Sequence, residues 1–203
     1  MTKIVADISM SLDGFVTGPD PGPTSGLGTG GEALHTWAVD SDDPVDAEEL
    51  RHGTDATGAV VMGRRLFDVI DGPEGWNDEM GYGAGLVGTP PFFVVTHHPP
   101  DAVRLGLQFT FVSGLREALD QARAAASDGH VVVMGGADVV RQCVDEGLAD
   151  ELQIHLAPVV LGAGTPLFTG TRRRPLRQLD VRVSATATHL TYAVEPRDPR
   201  GAG

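Results

Sequence analysis

The chain has 203 residues, 41% of them hydrophobic, which is enough for one substantial core and gives no strong reason for a second domain. Its formal net charge of −13 repels polyanions over most of the surface, so nucleic acid is not an expected partner unless basic residues are concentrated somewhere. The single cysteine, Cys143, excludes a disulfide framework and a cysteine-rich zinc site.

Neither targeting signals nor the cluster of arginines alters these expectations. The sequence contains no charged leader followed by an apolar run and no long apolar segment, so we expect a cytoplasmic protein without membrane contact. The arginines at residues 172–174 and 177 are expected to form a solvated loop before a strand. We predict a single domain over residues 1–195 and a flexible tail at residues 196–203, which are polar and rich in Pro and Gly.

The first half of the chain alternates strand and helix patterns. Its predicted elements are, in chain order, a strand at residues 3–10, a helix at residues 45–56 begun by Pro44, a strand at residues 59–62, a helix at residues 64–70 and a strand at residues 92–95. The glycine-rich stretches at residues 18–31 and 71–91 are predicted to be long loops, which in compact domains tend to be binding loops or lids.

The second half keeps this alternation and then loses its helices. Its predicted elements are a helix at residues 115–126, a strand at residues 130–134, a helix with the apolar stripe Val139, Val140, Cys143, Val144 and Leu148, and strands at residues 151–160, 176–184 and 188–195. Strands between helices with two apolar faces indicate a parallel sheet covered on both sides, whereas the last two strands alternate like an antiparallel pair. The sequence therefore predicts a three-layer α/β/α fold with a mixed, mainly parallel sheet and a C-terminal antiparallel hairpin.

Several familiar motifs are absent or lack their context. The pattern G-x-G-x-x-G occurs at residues 26–31 and 83–88, but neither copy directly follows a strand or opens a clear helix, so a Rossmann site is weakly supported. Neither a Walker A sequence nor a nucleophile elbow occurs. The adjacent histidines at residues 97–98 point in different directions in an extended segment, and His35 and His52 have no helical partner four residues away. We therefore expect no metal site.

The strongest local signal is a buried strand that ends in two glycines and opens a helix, at residues 131–138. Gly135 and Gly136 allow a ligand to approach the backbone closely, and the free N–H groups from Gly136 through Ala137 to Asp138 can hold a pyrophosphate. Alternatively, the glycines only allow the strand and the helix to pack tightly. The sequence favours neither explanation on its own.

A second strand-to-helix turn, Gly63-Arg64-Arg65, places two guanidinium groups directly after a buried strand. Arginine binds phosphate in a bidentate geometry and stays charged, which suits the 2′-phosphate of NADPH. An ordinary surface charge is the favoured explanation for either arginine alone, and it is less favoured for the pair directly after a strand and a glycine. Thr96 and His97 end the next strand at the same carboxyl edge of the sheet, where ligands gather in open α/β folds.

These turns belong to an ordered set of segments that resembles one family. The set comprises Ile8-Ser9-Met10-Ser11-Leu12-Asp13-Gly14, Val61-Met62-Gly63-Arg64, Met134-Gly135-Gly136, Asp150-Glu151-Leu152, Pro158-Val159-Val160-Leu161-Gly162 and Pro166-Leu167-Phe168. Over nearly the whole chain it is similar to the dihydrofolate reductase-like family, specifically to the riboflavin-biosynthesis reductase branch, the C-terminal half of the bifunctional deaminase-reductase. The resemblance implies an NADPH-dependent reductase and commonly a homodimer.

The resemblance also implies where the cofactor lies. Gly135, Gly136 and Ala137, with Asp138 in the same turn, would face the pyrophosphate, and Gly63, Arg64, Arg65 and Thr96, with His97 beside it, would face the adenosine-phosphate side. Few catalytic side chains are expected, because the nicotinamide supplies the hydride and the protein supplies orientation and exclusion of water.

Candidates for the catalytic and substrate-binding roles each have a second explanation. Asp13 could orient the substrate or help deliver a proton, or it could simply form a turn. Asp40 follows Trp37 in the region where dihydrofolate reductases carry their acidic group, and Asp42 there could equally cap a helix. Trp37 either walls the substrate pocket or packs in the core. Glu151 either reaches the substrate from its strand start or forms a surface ion pair.

Three departures from the riboflavin branch bear on the substrate. The chain has no zinc deaminase half, the stretch after Trp37 is not rich in arginine, and Leu66 stands where dihydrofolate reductases carry a cofactor-binding threonine. Three functions therefore remain open. They are a 5-amino-6-(5-phosphoribosylamino)uracil reductase-like enzyme, a reductase of a pterin, folate or other small heterocycle, and an NADPH-binding protein without turnover. In an enzyme, the loop at residues 18–31 would be a lid over the nicotinamide and the substrate.

Overall fold

The computed structural model describes residues 1–22, 24–73, 75–77, 82 and 90–195. Its strands are β1 (Ile4–Ser11), β2 (Phe15–Thr17), β3 (Thr57–Gly63), β4 (Phe92–Val95), β5 (Phe109–Val112), β6 (His130–Val133), β7 (Glu151–Ala157), β8 (Thr165–Pro166), β9 (Leu176–Val183) and β10 (Thr188–Val194). Its helices are a 3-10 helix (Gly31–His35), α1 (Thr36–Val39), α2 (Pro44–Asp55), α3 (Arg64–Ile70), α4 (Leu115–Ala125) and α5 (Ala137–Glu146). The predicted tail, much of the predicted loop at residues 71–91 and the second G-x-G-x-x-G lie outside the described residues.

Eight strands form one sheet in the order β5-β4-β3-β6-β1-β7-β10-β9. The first six of these are parallel, and β10 is antiparallel to both β7 and β9. This sheet and the C-terminal β9–β10 hairpin confirm the predicted α/β fold with a mixed, mainly parallel sheet. Since the six strands share one direction, their carboxyl ends lie along a single edge of the sheet.

Helices cover both faces of this sheet. Val61 and Val133 belong to a buried cluster that includes the apolar stripes of α4 and α5. Val60 and Met62, which point to the opposite face, pack with Phe67 of α3. Near β7 and β10 the second face is covered by α1 and α2. No helix in the described ranges combines the length and the apolar composition that crossing a bilayer would require.

Local signals explain where the helices begin and end. Asp43 caps α2 by accepting the N–H of Val45 at 2.9 Å, and Pro44 occupies the first helical position. Helix α5 ends before Gly147, its C-cap, whose φ of 66° is in the left-handed region. The predicted bounds of α3 and β4 agree with the structure, those of α2 differ by one residue at each end, and those of α4 differ by one residue at the C-terminal end.

Two differences from the predictions have physical causes. The strand predicted at residues 151–160 ends at Ala157, after which the carbonyl of Val159 accepts the N–H of Leu12 at 2.8 Å and joins two loops. Strand β5 was not predicted, because its four residues are too few to establish an alternation and it lies at the sheet edge, where three of them stay partly exposed.

Candidate functional site

Two strand-to-helix turns lie side by side at the carboxyl edge of the sheet. One joins β3 to α3 at residues 63–65, the other joins β6 to α5 at residues 135–138, and we call them the paired turns. The N–H of Gly63 donates to the carbonyl of Gly135 at 3.0 Å, and the N–H of Met134 donates to Val61 at 3.1 Å. Adjacent parallel strands therefore bring the two predicted phosphate-binding segments together.

The turn before α5 leaves its backbone donors open. Gly135 has a φ of 125°, which requires glycine, and the peptide bond between Gly135 and Gly136 is cis. Gly136 is the N-cap of α5 and provides no side-chain cap. The N–H groups of Gly136, Ala137 and Asp138 have no hydrogen-bond partner among the described residues. Apart from its chain neighbours, no atom of the described residues would lie within 4 Å of a Cβ atom on Gly136, so the space beside this residue is open.

Asp138 puts a carboxylate at this helix start, which would weaken the attraction for an anion. Its side chain is 63% exposed and forms an ion pair with Arg141 one turn further along α5. The pairing partly neutralises the carboxylate, while the backbone N–H of Asp138 stays available.

The arginines of the other turn differ in their contacts. Arg64 donates from Nε to Asp68 at 2.7 Å and from Nη1 to the carbonyl of His98. Its guanidinium group is thereby held beside the end of β4. Arg65 is exposed and has no ion pair within the described part of the chain. The turn thus presents one fixed and one free guanidinium group.

Thr96 and His97 lie at the same edge, at the end of β4. The Thr96 hydroxyl accepts the N–H of His98 at 3.1 Å, and the Thr96 N–H donates to Val112 at 2.8 Å. Its hydroxyl is therefore already used to form a local turn, whereas the side chain of His97 is exposed to solvent. Both residues remain candidates for the adenosine side because of their position next to Arg64.

Asp13 connects two loops at this edge. Its carboxylate accepts the hydroxyl of Ser11 at 2.7 Å and the N–H groups of Leu161 and Gly162 at 3.1 and 2.7 Å. The hydrogen bond from Ser11, assisted by these backbone donors, lowers the pKa of Asp13 below its ordinary value. An ionised carboxylate can orient a substrate, but it is a poor proton donor near neutral pH.

Trp37 and Asp40 are brought to different surroundings. Trp37 is half-buried, donates from its indole N–H to Ser9 at 2.9 Å and stacks against His155 with ring centroids 4.0 Å apart. Asp40 ends α1 with its side chain exposed, and its backbone N–H donates to Thr36. The structure thus places Trp37 on the sheet near the carboxyl ends of β1 and β7, and Asp40 on the solvent side of α1.

Glu151 is not brought to this edge. It is the first residue of β7, and since β7 runs parallel to β1, it lies at the amino edge of the sheet. There its carboxylate forms an ion pair with Lys3 at 2.6 Å. The ion pair corrects the expectation that Glu151 contacts the substrate, because a seven-residue strand separates it from the paired turns.

The loop at residues 18–31 is held by its own backbone. The N–H of Gly18 donates to Leu27 at 2.7 Å, and that of Thr29 donates to Pro19 at 2.9 Å. A side chain on Gly26 would collide with Val69 of α3, so the loop packs against the helix that follows Gly63. The G-x-G-x-x-G in this loop is followed by the 3-10 helix and not by a long α-helix. This agrees with the sequence analysis, in which a Rossmann site was weakly supported. A role as a lid stays a prediction.

A largely buried group of polar residues was missed by the sequence analysis. Asp7, His155, His189 and Asp46, which we call the polar row, form a chain in which Asp7 and His155 Nε2 are 3.1 Å apart, the two Nδ1 atoms are 2.7 Å apart, and His189 Nε2 and Asp46 are 2.7 Å apart. The members come from β1, β7, β10 and α2, and the partners in direct contact are 34, 148 and 143 residues apart in sequence. No local motif in the sequence connects them.

Hydroxyl groups complete this network. The second oxygen of Asp46 accepts hydrogen bonds from Ser41 and Thr186, each at 2.5 Å. Burial disfavours the charged carboxylate, but the hydroxyl group of Ser184, followed by those of Ser41 and Thr186 and by His189, outweighs that effect and lowers the pKa of Asp46 to about 2. Nearby, burial lowers the pKa of His35, whose Nδ1 is buried without a hydrogen-bond partner.

Comparisons with known proteins agree with this architecture. The family model described as the RibD C-terminal domain matches residues 2–190. No curated protein sequence matches the chain. Among solved structures, one described as a riboflavin biosynthesis protein, from Shewanella sp. PV-4, is 20% identical with a TM-score of 0.68, and the match covers 96% of this chain and all (100%) of that one.

Two further solved structures have the same fold. A pyrimidine reductase-like protein from Corynebacterium diphtheriae is 15% identical with a TM-score of 0.64, covering 97% of this chain and 93% of that chain. A deaminase and 5-amino-6-(5-phosphoribosylamino)uracil reductase from Thermotoga maritima is 16% identical with a TM-score of 0.61, covering 95% of this chain. This chain spans 56% of the length of that bifunctional protein.

Proposed function

Because the chain belongs to the RibD C-terminal domain family, we propose that it is an NADPH-dependent reductase that transfers hydride to a small heterocycle of the 5-amino-6-(5-phosphoribosylamino)uracil type. The observation that carries this proposal is the hydrogen bond between Gly63 and Gly135, which joins an uncapped helix start to a turn with two arginines. Open amides and guanidinium groups in one place suit a ligand with several phosphate groups.

The paired turns fit the two anionic parts of NADPH. The N–H groups of residues 136–138 would hold the pyrophosphate, since they have no partner among the described residues and the space beside Gly136 is open. Arg64, fixed by Asp68 beside the end of β4, would contact the 2′-phosphate, with Arg65 adding a second charge. When bound, the nicotinamide supplies the hydride.

The protein's own residues would orient the substrate and exclude water. The half-buried Trp37 offers an aromatic wall near the carboxyl ends of β1 and β7. Asp13 would orient polar groups of the substrate in its ionised form, because its lowered pKa disfavours proton donation. Asp40 would require a movement of α1, or a substrate that reaches the solvent side of that helix.

A reductase of a heterocycle without a phosphate group is the second candidate. Residues 38–50 contain no lysine or arginine and six acidic residues, Asp40, Asp42, Asp43, Asp46, Glu48 and Glu49. Such a segment after Trp37 would repel the phosphate of a ribosylaminouracil phosphate.

The candidates can be separated by measuring the steady-state oxidation of NADPH with phosphorylated and unphosphorylated pyrimidines, with pterins and with folates. Rescue of a riboflavin-requiring strain would favour the first candidate. Tight NADPH binding without turnover of any of them would indicate a non-catalytic binder.

The cofactor proposal has a sharp test in two matched variants. Gly136→Asp places a carboxylate at the N-cap of α5, where it would take up the free amides and repel a pyrophosphate. Gly114→Asp makes the same change at α4, whose N-cap is also an extended glycine without a side-chain cap and with no atom within 4 Å of a built Cβ. Since aspartate is a favoured N-cap residue, both variants should keep or slightly raise the melting temperature.

Calorimetric titration with NADPH and NADH gives the measurement. We expect the wild type to prefer NADPH, Gly136→Asp to lose at least about a hundredfold in affinity, and Gly114→Asp to bind as the wild type does. Equal affinity of both variants for NADPH would remove the assignment of the pyrophosphate to α5.

A homodimer is proposed for the assembly. The edge strand β9 exposes the apolar side chains of Leu179, Val181 and Val183, which are 42%, 40% and 65% exposed. A long exposed apolar edge strand favours pairing with another chain. Light scattering after size-exclusion chromatography should give a dimer for the wild type, and Val181→Lys should shift it toward the monomer; a wild-type monomer at all concentrations would contradict the proposal.

A further inference from the structure

The two histidines of the polar row lie directly opposite each other on neighbouring strands. His155 of β7 and His189 of β10 are register partners, and both side chains are 2% exposed. Their Nδ1 atoms face each other at 2.7 Å. At this distance the two nitrogens lie close enough to share one hydrogen.

The outer ring nitrogens determine what these inner nitrogens can do. His155 Nε2 faces Asp7 at 3.1 Å, and His189 Nε2 faces Asp46 at 2.7 Å. A carboxylate that faces one ring nitrogen of a histidine orients the ring and leaves the other nitrogen to bind a cation. Here the nitrogens left for a cation are the two Nδ1 atoms, which face each other.

A third ligand is available from α2. Asp46 and Glu49 are three residues apart and therefore lie on the same face of the helix, toward the sheet. Ligand atoms of Glu49, His155 and His189 lie within 4.8 Å of one another. In the present arrangement Glu49 accepts a hydrogen bond from Arg182 at 3.1 Å, and Arg182 also pairs with Glu48. Glu49 can thus be released while Arg182 keeps a carboxylate partner.

We propose that His155, His189 and Glu49 bind one divalent cation of the zinc class, with Asp7 and Asp46 orienting the two imidazoles. Two imidazoles and one carboxylate form a donor set that suits Zn²⁺, and a carboxylate behind each ligating histidine is the usual supporting arrangement. Two nitrogens bound to a tetrahedral metal are about 3.3 Å apart, so the rings must separate by only a fraction of an ångström. The site is distinct from the paired turns, and its test needs neither NADPH nor a substrate.

Co²⁺ provides a direct probe, because it replaces Zn²⁺ in such sites and gives visible absorption in a tetrahedral field. Tag-free protein is first dialysed against a chelator and then titrated with Co²⁺ and, by competition, with Zn²⁺. We expect one equivalent of metal per chain, together with quenching of the Trp37 fluorescence, because the Trp37 and His155 ring centroids are 4.0 Å apart.

Variants identify the ligands. His155→Ala and His189→Ala should lower the affinity at least about a hundredfold, whereas His52→Ala, an exposed histidine on α2, should change nothing. Because removal of a buried histidine can impair folding, two gentler variants keep the test decisive. Glu49→Gln should weaken binding about tenfold, and Arg182→Gln should tighten it about tenfold by removing a positive charge and releasing Glu49.

Three results would overturn the proposal. One is the absence of a saturable single equivalent of Co²⁺ or Zn²⁺ in the wild type, which would leave a shared proton as the cation between the rings. Another is an equal loss of binding in His52→Ala, which would indicate adventitious binding to surface histidines. The last is weaker binding in Arg182→Gln, which would show that Glu49 is not a ligand.

Discussion

At the paired turns the N–H groups of residues 136–138 have no partner among the described residues, whereas in the polar row all four ring nitrogens of His155 and His189 have one. The first region lies at an exposed edge, where water can satisfy free donors. The second lies beneath α1 and α2, where an unsatisfied polar group would cost about 1–3 kcal/mol. Polar groups are therefore left open to a nucleotide at the paired turns, whereas in the polar row they are satisfied by one another.

Substitutions in the two regions should therefore affect different properties of the protein, namely ligand affinity and the free energy of unfolding. A change at the paired turns should alter ligand affinity and leave the free energy of unfolding nearly unchanged, because little of the protein packs in front of Gly136. A change in the polar row should instead lower the free energy of unfolding and leave the affinity for NADPH unchanged, since each member of the row supports the next.

Asp46→Ala should have the largest effect, on stability. It removes the acceptor for His189, Ser41 and Thr186 in a site that is 0% exposed. Removing one partner of such a buried pair leaves the other charged or unsatisfied, so we expect a loss of about 3 kcal/mol in the free energy of unfolding, measured by urea denaturation. Asp40→Ala, at an exposed neighbour on the same side of the sheet, should lose less than about 0.5 kcal/mol. Similar losses in both variants would show that the row does not act as a buried network.

Arg64→Ala should have the next largest effect, on affinity. Its guanidinium group is held by Asp68 and the His98 carbonyl beside the proposed 2′-phosphate site. Loss of a charge-assisted hydrogen bond should reduce NADPH affinity about tenfold and leave NADH affinity unchanged. Arg116→Ala, which removes an exposed arginine of α4, serves as the control. An equal loss of both nucleotides would mean that Arg64 contacts something other than the 2′-phosphate.

The two regions also differ in how far the sequence revealed them. The paired turns are contiguous in sequence, each a buried strand followed by glycine and a helix, so their position at one sheet edge followed from the parallel strand pattern. The polar row depends on the register of β1, β7 and β10 and on the docking of α2, which place Asp7, His155, His189 and Asp46 together. Pairwise register and helix docking cannot be read from single segments, so these histidines gave no signal.

Strand direction explains where Glu151 lies. Glu151 was considered for the substrate because it starts a strand, but the first residue of a strand parallel to β1 must lie at the opposite edge from Ser11. The fold class was predictable because long apolar periodicities decide it, whereas the four-residue β5 carried too few residues for a pattern.

Asp13→Asn should have a smaller effect, on the stability of the loops at the carboxyl edge of the sheet. Asparagine can still accept hydrogen bonds, but it loses the charge that attracts the N–H groups of Leu161 and Gly162. We expect a melting temperature below that of the wild type but above that of Asp46→Ala.

Since the pKa of Asp13 is lowered, its protonated form is scarce near neutral pH. The pH profile of kcat/KM between about pH 5 and 9 should therefore keep its shape in Asp13→Asn, and loss of one limb would identify Asp13 as the proton donor.

The thiol of Cys143 should not react at all in the folded protein, because the exposed carboxyl edge of the sheet does not extend to this residue. It lies two turns into α5, the helix whose first amides are free, but its side chain is 0% exposed. Burial raises the pKa of the thiol to about 12, so the reactive thiolate is almost absent at neutral pH. A colorimetric thiol reagent should detect no reactive thiol under native conditions and one per chain in guanidinium chloride. Rapid native modification would mean that α5 opens as a unit, and the free amides at its start would then report local unfolding rather than a preformed anion site.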